Sequence, residues 1–206
     1  MYPLSWMGLM YKRDVTKILT DTEQGTPEDL LAVITFVLLT VRMPFSRTGK
    51  QAKDVAKNKD KAKSLWGFKA KGYHHAVVHS SSLYDNMVAS RSDVDHVLYE
   101  LLLVPGLGLP KASFVAQCLG YDTACLDSHN LKRMGYPVSI TKTKTNVNKS
   151  IDEYLKVVQE KGTEWYWNTW CEYVAGNRHN KSLGTADEVS AYHYTCIKTL
   201  GEQHGT

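Results

Sequence analysis

The sequence predicts an all-α fold of about ten helices, and three observations support this prediction. Several segments combine a helix-start signal with apolar residues at helical spacing, and most of these segments end at a glycine. No segment alternates apolar and polar residues in the way that predicts a strand. The chain has 206 residues, of which 43% are hydrophobic, so we expect a packed interior and not a disordered chain.

The predicted helices follow one another with short connections. The first begins after Thr26, which can cap the helix, and has Pro27 at its first position, followed by two acidic residues. Its apolar residues lie on all sides, which indicates a central, buried helix. Ser150 is predicted to cap the helix that follows a polar loop at 141–150. That helix covers 151–162, and the other helices are predicted over 51–63, 81–89, 93–103, 111–119, 127–135, 163–176 and 185–201.

Composition and charge exclude several classes of protein. The four cysteines have no C-x-x-C spacing, so we expect reduced thiols and no metal site or cofactor. The N-terminus lacks the pattern of a signal peptide, and the longest apolar run, at 30–39, is shorter than a membrane span. A soluble, cytoplasmic protein is therefore expected. The net charge is only +4, but eight lysines fall between residues 50 and 71.

A glycine-rich segment at 104–111, "VPGLGLPK", separates two predicted helices. It lacks the spacing of a P-loop or of a dinucleotide-binding fingerprint, and it does not follow a strand. Two interpretations stay open. In one, the glycines serve only a tight turn between helices. In the other, Gly106 and Gly108 let the backbone approach a DNA phosphate, towards which the N–H groups of the second helix point.

The segment 101–133 resembles the core of the helix-hairpin-helix DNA glycosylase superfamily, specifically its endonuclease III group. The Leu-Pro-Gly-Val-Gly turn of that family corresponds to Val-Pro-Gly-Leu-Gly at 104–108. Its Val-Asp-Thr-His segment corresponds to Leu-Asp-Ser-His at 126–129. The first predicted helix and the loop after it resemble a buried helix and a wedge loop of the family, so the similarity spans about 26–133.

The resemblance implies two helical lobes with a DNA-binding cleft between them. Residues 26–133 would form the lobe with the helix-hairpin-helix motif, and residues 1–25 would join 134–206 in the second lobe. The implied function is excision of a flipped, damaged or modified base from double-stranded DNA by a monomer without a cofactor. Two alternatives stay open: a viral transferase that modifies thymine-derived bases on the same scaffold, and a non-catalytic DNA-binding protein.

The chain also departs from the family pattern. It has no iron–sulfur ligands, and its tail after Arg133 does not follow the family's pattern. These departures indicate a divergent branch, for which a viral origin is one alternative. The expected location is the cytoplasm, in association with the nucleoid, or the host cytoplasm if the protein is viral.

The resemblance places two charged residues at the reaction centre. Asp127 corresponds to the family's essential carboxylate, which stabilises the cationic sugar or helps to activate water. Its alternative role is that of a helix cap. Lys111 lies three residues after Gly108, whereas the family's nucleophilic lysine lies two residues after that glycine, where Pro110 stands here. Lys111 is therefore either a displaced nucleophile or a phosphate-contacting or solvated residue, and a monofunctional, water-using enzyme is favoured.

The remaining candidates concern DNA contact and support of the site. His129 is expected to assist Asp127 and not to act as a general base. Met43 and Phe45 suit a wedge that enters the duplex, and a core position is an equal alternative for both. One aromatic residue of 165–170 is a candidate wall for a base pocket. The candidate DNA-binding residues are Arg42, Phe45, Arg47, Lys50, Lys53, Gly106, Leu107, Gly108, Leu109 and Lys111.

Overall fold

A computed structural model describes residues 26–58, 61–90, 92–176 and 184–201. Within these ranges the chain forms nine α-helices and two short 3-10 helices, at Lys61–Ser64 and Val138–Thr141, and no strand. The prediction of an all-α fold is therefore confirmed. The α-helices are α1 (Pro27–Thr40), α2 (Phe45–Lys57), α3 (Phe68–Ala89), α4 (Val94–Leu102), α5 (Leu109–Cys118), α6 (Ser128–Met134), α7 (Val147–Gln159), α8 (Thr163–Gly176) and α9 (Ala186–Gly201).

Helix α1 lies at the centre of the fold. Thr26 and Asp29 form a capping box at its start: the Asp29 N–H donates to the Thr26 hydroxyl, and the Thr26 N–H donates to the Asp29 carboxylate. Every residue from 30 to 39 is buried, as expected for a helix that is apolar on all sides. Helices α2, α3, α5 and α9 all pack against it. The end of α1 at Thr40 thus lies among several other elements.

The C-terminal helix α9 packs against α1, α2 and α8. Gly49 of α2 allows a close approach to it, because the Gly49 N–H donates to the Tyr192 hydroxyl across 2.6 Å and a Cβ at Gly49 would collide with that hydroxyl. Residues from opposite ends of the described chain therefore meet in one core. Residues 1–25 lie outside the described residues, so the division into two lobes stays a prediction.

Helices α3, α4 and α5 pack together around the connection at 103–108, which we call the glycine turn. Gly106 has a φ of +92°, in the left-handed region that favours glycine. A Cβ on Gly106 would lie 2.8 Å from the ring of Phe68. Gly72 of α3 lies against the carbonyl oxygen of Pro105, and a Cβ at Gly72 would collide with it. The glycine turn is therefore held tightly against α3.

Three predicted helix starts are wrong by four residues or more. The helix predicted over 81–89 begins at Phe68 and continues to Ala89 as α3. Helix α2 begins at Phe45 and not near residue 51, because Phe45 and Thr48 are buried in the core. Ser150 does not cap α7; the cap is Asn146, whose side chain accepts a hydrogen bond from the Lys149 N–H across 3.0 Å. Ser150 lies in the first turn, and its hydroxyl donates to the Asn146 carbonyl. None of the described helices has the length and apolar character needed to cross a membrane.

Candidate functional site

A cavity of about 160 Å³ lies where the end of α1 and the start of α2 face α5 and α8. An apolar cavity of ~150 Å³ in an engineered protein admits benzene, so this cavity can hold one six-membered ring. Its walls combine aromatic rings with a lysine and an aspartate. The residues that line it are Thr40, Met43, Phe45, Lys111, Phe114, Gln117, Cys125, Asp127, Tyr166, Trp167 and Trp170.

Lys111 lies in the wall of this cavity. Helix α5 begins at Leu109, so Lys111 lies in its first turn, and its side chain reaches the end of α1. The Lys111 Nζ donates a hydrogen bond to the Thr40 Oγ1 across 3.1 Å and lies 5.2 Å from the centre of the Phe114 ring. Lys111 is half-buried. Its amine therefore does not point into solvent, although Lys111 lies one position later than the family's nucleophilic lysine.

Asp127 lies in the same cavity and also caps a helix. Its Oδ1 accepts a hydrogen bond from the Asn130 N–H across 2.9 Å at the start of α6. The Asn130 side chain in turn donates to the Cys125 carbonyl across 3.1 Å. The two roles that the sequence suggested for Asp127 are thus compatible in one position. The side chain of His129, two residues after Asp127, lies outside the described part of the structure.

The backbone before Asp127 is held by Tyr154, which sequence reasoning missed. The buried Tyr154 hydroxyl accepts from the Leu126 N–H across 2.7 Å and donates to the Ala124 carbonyl across 2.8 Å. Burial raises the pKa of Tyr154 well above its usual value, so this hydroxyl keeps its proton. In the sequence, Tyr154 was one aromatic residue on an amphipathic helix, and nothing local indicated its partners.

Two lysine amines gather at the C-terminal end of α1. Lys69 of α3 is only 2% exposed, and its Nζ donates to the Leu39 carbonyl across 3.1 Å. Desolvation lowers the pKa of Lys69, and the charge of Lys111 lowers it further. The partial negative charge of the last carbonyls of a helix favours cations at this end. The end of α1 therefore helps to hold both amines beside the cavity.

The Cys125 thiol is affected by the charges of both cavity residues. Burial raises its pKa to about 12, with Lys111 opposing the shift and Asp127 adding to it. The thiol is therefore protonated at neutral pH and is not a thiolate nucleophile. Lys111 and Asp127 thus act electrostatically on the same small region.

The aromatic wall includes Phe45, for which the sequence left a wedge role and a core position open. Phe45 is only 7% exposed, and its ring centre lies 5.0 Å from that of Trp170 and 4.5 Å from that of His193. The core alternative is therefore correct for Phe45, because the start of α2 turns the ring inwards. Among the aromatic residues at 165–170, Trp170 and two others, Tyr166 and Trp167, line the cavity.

His193 lies behind this aromatic wall and was not singled out from the sequence. Its Nδ1 is 2.8 Å from the Val189 carbonyl, so Nδ1 holds the proton and donates it. Burial lowers the pKa of His193 to about 3, with Lys111 adding to the shift. The imidazole is therefore neutral at physiological pH. The rings packed around it are those of Phe36, Phe45, Phe114, Trp167 and Trp170.

The other candidate DNA-binding residues lie at two places near the cavity. In the glycine turn, Gly106 and Gly108 are exposed, whereas the side chains of Leu107 and Leu109 are buried, so any contact at those leucines would use the backbone. No side chain caps α5 at Gly108, and a Cβ there would meet nothing within 4 Å. On α2 and on the turn before it, the exposed candidates are Arg42, Arg47, Lys50 and Lys53.

The cavity thus joins side chains from distant parts of the chain, with Asp127 and Lys111 in its wall and exposed basic residues nearby. In the described ranges, no group of three or more His, Cys, Asp or Glu side chains is placed to hold a metal ion. Comparison of the chain with models of known protein families, with curated proteins and with solved structures finds no match.

Proposed function

We propose that this chain is a DNA glycosylase-like enzyme that acts on a flipped base, with Asp127 as the catalytic carboxylate. The observation that carries the proposal is that Lys111, in the first turn of α5, and Asp127, in the segment after α5, line one aromatic cavity that can hold a six-membered ring. An enzyme that removes a base must take it out of the duplex, and a cavity with aromatic walls suits an extruded base.

The reaction needs a negative charge beside the sugar. When the bond between C1′ and the base nitrogen breaks, the bonding electrons leave with the base and the sugar becomes cationic. The Asp127 carboxylate would stabilise this cation, and a half-buried site strengthens that interaction compared with water. Water then adds to C1′, its oxygen forming the new bond while its proton passes to solvent or to the departing base.

Lys111 would act in the same cavity in one of two ways. In a bifunctional enzyme its neutral amine would attack C1′ and form a Schiff base, which leads to strand cleavage. In a monofunctional enzyme it would hold the sugar or phosphate while water reacts. We favour the second route, because Pro110 takes the place of the family's nucleophile and the Lys111 amine already donates to Thr40.

DNA binding would use the glycine turn and the basic residues of α2. Helix α4, the glycine turn and α5 would form a helix-hairpin-helix, with the uncapped start of α5 facing a phosphate. Arg47, Lys50 and Lys53 would contact phosphates on the α2 side of the cavity. A duplex that contacts both places would pass near the cavity, where a flipped base would enter.

A panel of duplexes, each with one damaged or modified base, tests the proposal through free base released and strand cleaved. We expect base release from at least one duplex, without strand cleavage. Release of no base, together with a mass gain on a modified thymine, would select the transferase instead. Salt-dependent binding without either product would select a non-catalytic DNA-binding protein.

A further inference from the structure

Trp66 is unusually exposed for a tryptophan. It is 63% exposed, whereas Trp165, Trp167 and Trp170 are buried or half-buried. Tryptophan is highly buried on average, because its ring is the largest apolar surface among the side chains. An exposed ring of this size is a candidate contact for a partner.

The backbone on both sides of Trp66 is held in place by the fold. Leu65, just before it, is buried in the core, and the Trp66 carbonyl accepts a hydrogen bond from the Lys69 N–H at the start of α3. The ring centre lies 6.5 Å from that of Phe68 in an edge-to-face arrangement. Gly67, between the two rings, has a φ of +59°, which gives the chain its sharp turn here. Trp66 is therefore held out from the surface by packed neighbours.

The residues that follow Trp66 contact the glycine turn and the end of α1 beside the cavity. The Phe68 ring packs against Gly106 of the glycine turn, and a Cβ there would lie 2.8 Å from it. In the same turn of α3, the Lys69 amine donates to the Leu39 carbonyl, next to Thr40 in the cavity wall. Trp66 therefore stands beside the glycine turn and close to the end of α1 that borders the cavity.

The charge around Trp66 favours an anionic partner. Residues 61–84 contain four lysines and three histidines but no aspartate or glutamate. Lys63 and Lys71, on either side of Trp66, are both exposed. A flat apolar ring between cationic side chains matches a nucleic acid, which offers base faces for stacking between phosphates.

We propose that Trp66 stacks on a nucleobase of the bound DNA, where the duplex opens beside the flipped nucleotide. This inference rests on the proposed function. Trp66 would contact the opened base stack, which Phe45 does not reach because it is buried. Intercalated side chains support opened base steps, and stacking is tolerant of sequence. Loss of the Trp66 ring would therefore weaken binding to duplexes of every sequence. The loss of base release would be largest for duplexes whose target base pair is hardest to open.

The test compares Trp66→Ala with Trp66→Phe. Val78→Ala is the matched control, since Val78 is 62% exposed on α3, the helix that follows Trp66. Binding to a duplex with one abasic site is measured by anisotropy at fixed salt. We expect roughly tenfold or greater weakening in Trp66→Ala, little change in Trp66→Phe and none in Val78→Ala. The fluorescence that Trp66 adds, taken as wild type minus Trp66→Phe, should be quenched by the duplex.

Base release then separates this inference from the proposed function. The loss of rate in Trp66→Ala should be larger for a paired target base than for a mismatched one, because a mismatch already weakens the stack. Equal binding by Trp66→Ala and Val78→Ala, with no quenching, would overturn the inference even if bases are released. Release of no base by the wild type, with Trp66-dependent binding intact, would overturn the proposed reaction and leave the stacking contact standing.

Discussion

The Lys111 amine donates a hydrogen bond to the Thr40 hydroxyl across 3.1 Å, although the two residues are 71 positions apart in the chain. The Thr40 hydroxyl in turn donates to the Val37 carbonyl across 2.7 Å, so its lone pairs face the amine. A residue of α1 thus orients the lysine of α5 in the cavity. Each partner of this pair can be removed separately by mutation.

Removal of the Lys111 amine tests whether water or lysine attacks the sugar. Because water is the proposed nucleophile, we expect Lys111→Met to keep measurable base release. We also expect borohydride to trap no covalent complex between the wild-type enzyme and DNA. Lys111→Arg, which keeps the positive charge, should lose less activity than Lys111→Met. A trapped complex that forms with the wild type and disappears in Lys111→Met would show that the lysine is the nucleophile.

Asp127→Asn separates the catalytic role of Asp127 from its structural role. Asparagine caps helices as well as aspartate does, so the melting temperature should change little. Base release should fall by roughly 10²- to 10³-fold, because the charge beside the cationic sugar is lost. Asp127→Ala should lose the same activity and, in addition, about 1 kcal/mol of unfolding free energy. Unchanged base release by Asp127→Asn in single-turnover assays would disprove the catalytic role.

Tyr154→Phe should disturb the backbone that carries Asp127. The change leaves the buried Leu126 N–H and Ala124 carbonyl without their hydroxyl partner, which costs about 1–3 kcal/mol in unfolding free energy. Base release should also fall, since Asp127 follows directly. Tyr99→Phe, at an exposed site on α4, is the control for loss of a hydroxyl in denaturant unfolding. If the two variants unfold alike, Tyr154 does not hold this segment.

His193 should make the fold sensitive to acid. Its pKa is about 3 in the folded state, compared with ~6.5 in the unfolded chain, so the unfolded state binds more protons between these values. The stability due to the neutral imidazole is therefore complete above about pH 6.5 and falls by ~1.4 kcal/mol per pH unit on acidification. His193→Phe should flatten this slope in urea unfolding between pH 7 and pH 4. His74→Gln, at an exposed site, should keep the wild-type slope.

The basic face of α2 should determine the salt dependence of DNA binding. Replacement of Arg47, Lys50 or Lys53 by glutamine should reduce the slope of log K against log salt by about one for each phosphate contact that is lost. The effect should be similar for all duplex sequences, because phosphate contacts do not read bases. Lys156→Gln, on the exposed side of α7, should leave the slope unchanged. Equal slopes for the α2 variants and Lys156→Gln would exclude this face from the DNA contact.

Local sequence was sufficient to predict most helices of this protein. The capping box at Thr26 and Asp29 involves residues three positions apart, so it can be found without knowledge of the fold. Asp127 was found in the same way, because its cap, its spacing from the glycine turn and the family resemblance all lie within a short stretch. Local signals failed where two caps compete, as at Asn146 and Ser150.

The cavity itself was decided by contacts between distant parts of the chain. The spacing after Gly108 suggested that the Lys111 amine could point away, but the end of α1 supplies its partner and keeps it in the wall. The sequence supported an exposed wedge and a core ring equally for Phe45. In the structure, Trp170 of α8 and His193 of α9 pack against its ring, so it belongs to the core. Backbone hydrogen bonds and caps act over three or four residues, whereas burial and side-chain partners depend on which helices pack together, and that packing is known only from the tertiary structure.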